Sequence, residues 1–147
     1  MYGMWDKLYN GITIPGNHNR YIIFSEEVIN TLKKFQQNDH NTVESGGLLL
    51  GKIRGEHFEI TQITIPYSKD KQSKFSFERN DPKHIKFMNS LKKNSIGEVS
   101  YLGEWHTHPE DFPKPSTVDK REWNNIRNKR KYFIFFLIIG RKDFYIG

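Results

Sequence analysis

Two histidines separated by a single residue, with a serine and an aspartate after them, are the residues of this sequence best suited to chemistry. His106 and His108 are followed, after seven intervening residues, by Ser116 and then by Asp119. Side chains alternate along an extended strand, so both imidazoles are expected on one face. Two imidazoles and one carboxylate suit zinc, and three protein ligands leave the fourth position open for water, as in catalytic sites. The pattern therefore predicts a catalytic site that holds one Zn2+ ion per chain.

Ser116 and Asp119 also have a purely structural interpretation. A serine followed three residues later by an acid resembles a capping box, in which the two side chains cap the first turn of a helix. On these four residues alone, capping is the better interpretation. The spacing from His108 and the need for an anionic third ligand favour Asp119 as a zinc ligand. Ser116 could cap the helix and also offer its hydroxyl to a reacting oxygen.

A zinc-activated water also needs a base, and two glutamates are candidates. Glu44 stands directly before Ser45 and two glycines, where a loop enters a strand and close approach of a substrate is possible. By itself, Glu44 would be a solvated loop residue. Glu104 lies on the strand face of His106 and His108, so spacing allows it to be a fourth ligand or a partner of the ligands.

Strands and helices alternate along the chain without a linker or repeat, which predicts one α/β domain with a mixed central sheet flanked by about three helices. Residues 1–19 are expected to be an irregular N-terminal lead-in, and residues 20–147 the domain. The expected strands are 20–24, two strands joined in a hairpin around residues 54–56, 75–77, 99–106, 133–139 and 144–146. The expected helices begin at Ser25, at Asp81 and Pro82, and at Thr117.

Composition excludes several other classes of protein. The 147 residues include no cysteine, which excludes disulfides and thiolate metal sites. The longest apolar run, 132–139, is well below the ~20 residues that span a bilayer, and the N-terminus lacks an export signal, so a cytoplasmic protein without membrane association is expected. The net charge of +6 comes largely from the second half. No nucleic-acid-binding motif accompanies it, so solvated helix faces are favoured over a nucleic-acid partner.

Taken together, the candidate residues resemble the signature of a known enzyme family. The combination of Glu44, His106-x-His108 and Ser116-x-x-Asp119 resembles that of the JAMM metalloproteases, whose domain is also called JAB or MPN-plus. The glycine-rich stretch after Glu44 also resembles the strand that follows the catalytic glutamate of that family. This resemblance covers the chain from about residue 20 to its end, and it implies a JAB/MPN-like fold. It further implies zinc on His106, His108 and Asp119, Glu44 as the general base, and Ser116 assisting the tetrahedral intermediate.

The residues around the histidines also resemble one subgroup of that family. Gly103 to Pro109 reads like the compact bacterial members associated with anti-phage cyclic-oligonucleotide signalling (CBASS) operons, whereas eukaryotic deubiquitinating members carry an aromatic residue in place of Glu104. This implies an isopeptidase that hydrolyses an amide at the C-terminal end of a conjugated protein. The partner would have an extended C-terminal tail and be a nucleotidyltransferase or a ubiquitin-like protein. Loops 66–80 and 109–115 would set specificity. A non-catalytic MPN-type scaffold and a basic nucleic-acid-binding module are the alternatives.

Overall fold

The apolar runs of the sequence come together in one seven-stranded mixed sheet. The structure is a computed structural model that describes residues 3–14 and 17–147. In chain order the elements are α1 (Met4–Asn10), β1 (Ile12–Ile14), β2 (Asn17–Phe24), α2 (Glu26–Phe35), β3 (Gly46–Arg54), β4 (His57–Ile63), β5 (Lys71–Ser73), β6 (Ser76–Glu78), α3 (Lys83–Asn94), β7 (Ser100–Thr107), α4 (Thr117–Asn128), β8 (Phe135–Ile139) and β9 (Phe144–Ile146). The main sheet has the strand order β1-β2-β4-β3-β7-β8-β9, and β5 pairs only with β6. The predicted α/β domain with a mixed sheet is thereby confirmed.

The helices cover the two faces of the sheet in pairs. Apolar side chains of α1 and α2, such as Leu8 and Leu32, pack on one face. On the other face, Met88 of α3 and Trp123 of α4 pack against the sheet. Strand β8 is buried at every position and lies between β7 and β9, as its unbroken apolar sequence predicts. None of the helices in the described part of the chain is long and apolar enough to cross a membrane.

The N-terminal segment differs from the expected irregular lead-in. Helix α1 buries Met4 and Leu8 against the core, β1 pairs antiparallel with β2, and β2 begins before residue 20. A helix of seven residues is marginal alone, so packing rather than a strong local pattern stabilises it. The prediction of an irregular segment is therefore wrong for residues 4–14 and 17–19, while 1, 2, 15 and 16 lie outside the described residues.

A bulge in β7 decides which of its side chains face α3 and α4. The register between β3 and β7 slips by one residue between Tyr101 and Gly103. Gly103 has a φ of 152°, and a Cβ there would lie 1.7 Å from the Phe135 carbonyl oxygen, so only glycine fits. Because the extra residue resets the alternation, Tyr101, Glu104 and His106 all face the α3/α4 side of the sheet.

Hydrogen bonds of Asp70 and His84 hold the loops on either side of the β5–β6 hairpin. Asp70 accepts hydrogen bonds from the backbone N–H groups of Tyr67, Asn80 and Asp81, which closes the loop that carries the hairpin. The fully buried His84 places Nε2 2.6 Å from Asp70, and its other ring nitrogen contacts Thr64. The polar loop is thus fixed to α3 and to the end of β4.

Candidate metal centre

The carboxyl end of β7 and the start of α4 bring three candidate ligands together. His106 and His108 place their Nε2 atoms 3.0 Å apart. One carboxylate oxygen of Asp119, Oδ2, lies 3.1 Å from Nε2 of His108 and 3.4 Å from Nε2 of His106. Three atoms from two elements thus converge on one point, as the sequence pattern predicts for this trio.

These distances fit a tetrahedral zinc ion. With bonds of about 2.0–2.1 Å, neighbouring ligand atoms of a tetrahedral site lie about 3.3 Å apart. The observed separations of 3.0, 3.1 and 3.4 Å are close to that value. A donor set of two imidazole nitrogens and one carboxylate oxygen also suits zinc chemically. The described residues can therefore hold the ion without rearrangement of the backbone.

The capping interpretation of Ser116 and Asp119 is confirmed, and it is compatible with a position of Asp119 beside the histidines. Ser116 accepts the N–H of Asp119 over 3.0 Å, and Asp119 Oδ2 accepts the N–H of Ser116 over 2.8 Å, which is a complete capping box. The same oxygen faces the histidine pair. Although burial opposes ionisation, hydrogen bonds with His106 and His108 hold the pKa of Asp119 well below its ordinary value. Asp119 therefore remains a carboxylate.

Glu44 lies beside the histidines in a contrasting environment. Its carboxylate and the ring nitrogens of His106 and His108 offer atoms that all lie within 4.8 Å of one another. The residue is 4% exposed. Burial, opposed by His108 and reinforced by Asp119, raises the pKa of Glu44 to about 7. Asp119 is thus held ionised, whereas Glu44 can exchange a proton near neutral pH.

The backbone of Glu44 is held from two sides. On one side, Ser45 exchanges hydrogen bonds with Thr107 of β7, its N–H to the hydroxyl over 3.0 Å and its carbonyl with the Thr107 N–H over 2.9 Å. On the other side, the hairpin strand β5 contacts Glu44 directly. Ser73 accepts the Glu44 N–H over 2.7 Å, and Gln72 donates its amide to the Glu44 carbonyl and the Ser45 hydroxyl. Sequence reasoning identified Glu44 but missed Gln72 and Thr107.

Glu110 is a further residue that the sequence pattern did not reveal. Its carboxylate lies 2.7 Å from Nδ1 of His108. A carboxylate on this nitrogen fixes the proton there and leaves Nε2 free for a metal, as in many zinc sites. The signal in the sequence is only an acid two residues after a candidate ligand, separated from it by Pro109.

Glu104 has a different role from the two that its spacing allows. Arg79 forms a forked pair with it, with Nε 2.7 Å from Oε1 and Nη2 3.2 Å from Oε2. Tyr101 donates its hydroxyl to Oε2 over 2.7 Å. Both carboxylate oxygens of Glu104 are thus occupied by Arg79 and Tyr101. Glu104 is therefore bound to an arginine rather than placed at the candidate metal centre.

A cleft of about 490 Å3 opens over the candidate ligands. One wall is the hairpin strand β6 with its flanking residues, and the opposite wall is the first half of α4. Phe77 of the hairpin packs against Gly46, where a Cβ would lie 2.7 Å from the ring. Phe75 and Val118, at the two rims, are 73% and 53% exposed. The cleft is thus accessible from solvent at both rims.

The basic second half of the chain is partly used in packing. Arg127 lies over the ring of Phe136 at 4.9 Å, and Arg130 lies over the ring of Tyr101 at 4.2 Å. Both arginines thus cover aromatic side chains on the α4 side of the sheet. This favours the interpretation of the charge as ordinary helix surface.

Most of the chain matches a known protein family, and two proteins similar to it share one name. Residues 25–145 match a family described as prokaryotic homologs of the JAB domain. The chain is similar to a protein of Escherichia coli named CD-NTase/cGAS isopeptidase, with 38% identity over 138 residues that cover 94% of this chain and 88% of the relative. A Pseudomonas aeruginosa protein of the same name is 39% identical over 131 residues, 87% of this chain and 83% of the relative.

A solved structure has a similar fold. The solution structure of a protein from Desulfitobacterium hafniense has a TM-score of 0.58 and 22% identity, and it covers 81% of this chain and 74% of that protein. At this level of identity, the likeness concerns the architecture alone. A similar overall fold therefore recurs in another chain of different sequence.

Proposed function

Because this chain belongs to the family of prokaryotic homologues of the JAB domain, we propose that its cleft is the active site of a zinc-dependent isopeptidase. The bond hydrolysed is an amide that joins the C-terminal carboxyl of one protein to an amine of another. The conjugated protein is a nucleotidyltransferase, in keeping with the name CD-NTase/cGAS isopeptidase of two relatives. The setting is bacterial anti-phage defence. The cytoplasmic location expected from the sequence stays a prediction.

One observation carries this proposal: two histidines and two acids of contrasting pKa meet in an open cleft. His106, His108 and Asp119 would hold the zinc ion. When bound, such an ion supplies Lewis-acid chemistry, lowering the pKa of water and polarising an amide carbonyl. An ionised Asp119 suits a ligand, because its carboxylate does not need to lose a proton first.

Glu44 acts as the general base and then as the general acid. Its carboxylate takes the proton that water loses as it attacks the amide carbon, and later passes that proton to the leaving amine. A pKa of about 7 keeps both protonation states accessible near neutral pH. The contacts with Thr107 through Ser45 and with Gln72 fix where that carboxylate can reach.

Ser116 and Glu110 support the reaction from the two ends of the loop that follows β7. The Ser116 hydroxyl accepts the Asp119 N–H, so its own proton is available to donate to the developing oxyanion. Glu110 holds the proton of His108 on Nδ1 and thereby keeps Nε2 turned to the metal position.

The test uses the purified chain and a nucleotidyltransferase joined through its C-terminal carboxyl to a lysine of a reporter protein. We expect cleavage that restores the free C-terminus, seen by intact mass, and one zinc per chain by elemental analysis. Glu44→Gln should keep the zinc and lose about 10²–10⁴ of the rate. Glu26→Gln, a change of an exposed acid on α2, is the matched control.

The outcomes separate the competing interpretations. Undiminished cleavage by Glu44→Gln would exclude Glu44 as the base. Absence of zinc from protein purified without chelator would favour the non-catalytic scaffold. Cleavage of a ubiquitin-like conjugate in preference to the nucleotidyltransferase conjugate would reassign the substrate. Salt-sensitive retention on DNA together with no cleavage would favour the nucleic-acid-binding module.

A further inference from the structure

An ion pair is built into the cleft at a distance from the candidate zinc ligands. Arg79 follows strand β6, and Glu104 lies on the floor, in β7. Their side chains are 26% and 16% exposed. The two hydrogen bonds of the fork, at 2.7 and 3.2 Å, fix the plane of the guanidinium. Such a planar, oriented cation is suited to recognition.

Both carboxylate oxygens of Glu104 bond to the Arg79 guanidinium, and one of them also bonds to Tyr101. Its Oε1 contacts Nε of Arg79, and its Oε2 contacts Nη2 of Arg79 and the hydroxyl of Tyr101. The β7 bulge is what brings Tyr101 and Glu104 to the same face. Although burial opposes the charge, Glu104 raises the pKa of Arg79 above its ordinary value, so the guanidinium stays positive.

Arg79 keeps donors that Glu104 does not use. A guanidinium has five N–H groups, and two of its nitrogens, Nε and Nη2, bond to Glu104. Within the part of the chain that the structure describes, the third nitrogen, Nη1, has no hydrogen-bond acceptor. A half-buried cation with a spare donor on a cleft wall favours an acceptor supplied from the cleft.

The distance along β7 from Glu104 to His106 equals the length of two residues of an extended substrate chain. Glu104 precedes His106 by two residues on the same face of the strand. At a rise of about 3.3 Å per residue this is about 7 Å, the span of two residues in any extended chain. A tail that lies along β7 with its scissile carbonyl near His106 and its preceding residues towards Glu104 would place an earlier carbonyl near Arg79.

The charges around Arg79 select against an acidic side chain there. Glu78 and Glu122 line the same cleft as Glu104. Because these acids make the cleft near the pair negative, a further carboxylate would be repelled, whereas a neutral acceptor would not. Every residue of an extended tail offers a main-chain carbonyl, which is such an acceptor.

We propose that Arg79, oriented by Glu104, is a substrate-binding residue that binds the main-chain carbonyl of the substrate tail two residues before the scissile amide. This inference rests on the proposed function, because it assumes that a C-terminal tail occupies the cleft. A purely structural role for the pair would be to tie the hairpin to the sheet. The two roles differ in what each partner contributes: binding needs the arginine above all, whereas a tie needs both residues equally.

The experiment separates binding from cleavage. The C-terminal peptide of the nucleotidyltransferase, labelled with fluorescein and amide-linked to lysine, is titrated with Glu44→Gln protein and followed by anisotropy. Adding Arg79→Ala should weaken binding about tenfold, and adding Glu104→Gln about threefold, since the arginine remains but loses its orientation. Arg79→Lys, which keeps the charge without the fork, should not restore full affinity.

Cleavage kinetics in protein that retains Glu44 test the role of Arg79 independently. Arg79→Ala should raise KM about tenfold and leave kcat within about twofold. The KM of Arg79→Ala relative to that of the unchanged protein should be the same for tails with Ala or Gln two residues before the scissile bond.

Three results would overturn the inference. The first is an equal loss of peptide affinity in Arg79→Ala and Glu104→Gln, together with a lower thermal midpoint of both variants. The second is an effect of Arg79→Ala on KM that depends on the substrate side chain. The third is no binding of the peptide by Glu44→Gln protein. If the peptide binds through Arg79 but no conjugate is cleaved, the inference stands and the proposed function fails.

Discussion

Gln72 donates its side-chain amide to the main-chain carbonyl of Glu44 over 3.0 Å. A residue of the β5–β6 hairpin therefore fixes the backbone of the proposed general base. The hairpin is a wall of the cleft and also a part of the proposed catalytic arrangement, because the adjacent Ser73 accepts the N–H of Glu44.

Gln72→Ala should lower kcat about tenfold, about 1.4 kcal/mol of the barrier, and leave KM and zinc content unchanged. The reason is that Gln72 touches neither the candidate ligands nor the cleft and acts only through Glu44 and Ser45. Steady-state kinetics and elemental analysis measure this. Gln62→Ala on β4 is the control, and equal losses in the two variants would argue against a positioning role.

Zinc should bind more tightly as pH rises, with release of protons. Although burial opposes protonation, Asp119 and Glu110 raise the pKa of His108 above its ordinary value. The pKa of Glu44 is raised to about 7. A cation favours the neutral imidazole and the ionised carboxylate, so protons must leave when pH lies below these values. Calorimetric zinc titrations in two buffers of different ionisation enthalpy count the released protons. Glu44→Gln should release fewer protons than the unchanged protein. Identical heats in both buffers would contradict the coupling of zinc binding to proton release.

Glu110→Ala should weaken zinc binding about 10- to 100-fold, because His108 loses the carboxylate that fixes its Nδ1 proton. Competition with a zinc-binding dye measures the affinity. Asp111→Ala is a matched control, because that neighbouring acid pairs with Arg141 and Lys142 instead of a histidine. An unchanged affinity in Glu110→Ala would show that His108 is oriented by other contacts.

Gly46→Ala should destabilise the protein by about 1–3 kcal/mol and reduce activity. A Cβ at this position would lie 2.7 Å from the ring of Phe77 and 2.6 Å from the carbonyl oxygen of Trp105, so the hairpin would have to move. Urea unfolding gives the stability, and Gly3→Ala, where nothing lies within 4 Å, is the control. In the background of Phe77→Ala the cost of Gly46→Ala should shrink; strict additivity of the two would exclude the contact.

Local patterns were sufficient for the residues that lie close together in the sequence. His106 and His108 share a strand face by alternation, and the capping box that obscured Asp119 proved compatible with its position beside the histidines. The sheet followed from apolar runs such as β8. These features depend on neighbours within a few residues, so their spacing carries the information.

The features that were missed depend on contacts between distant residues or on packing. Arg79 and Glu104 are 25 residues apart, and Gln72 and Glu44 are 28 apart, and no periodic pattern links either pair. Strand β5 is exposed at every position and lacks an alternating pattern. Helix α1 is short and gains its stability from the core. Sequence patterns report burial along one element and not hydrogen bonds between elements.

The bulge at Gly103 divides β7 into two halves whose faces are set separately. Before the bulge, Tyr101 and Leu102 pack in the core on opposite faces, and after it Trp105 packs in the core while Glu104 and His106 face the cleft. Glu104 and His106 both follow the bulge and face the cleft, so a change of register that the bulge absorbs leaves these two side chains in the same relation to each other. The residue that holds Arg79 and the first candidate metal ligand therefore keep or lose their orientation together.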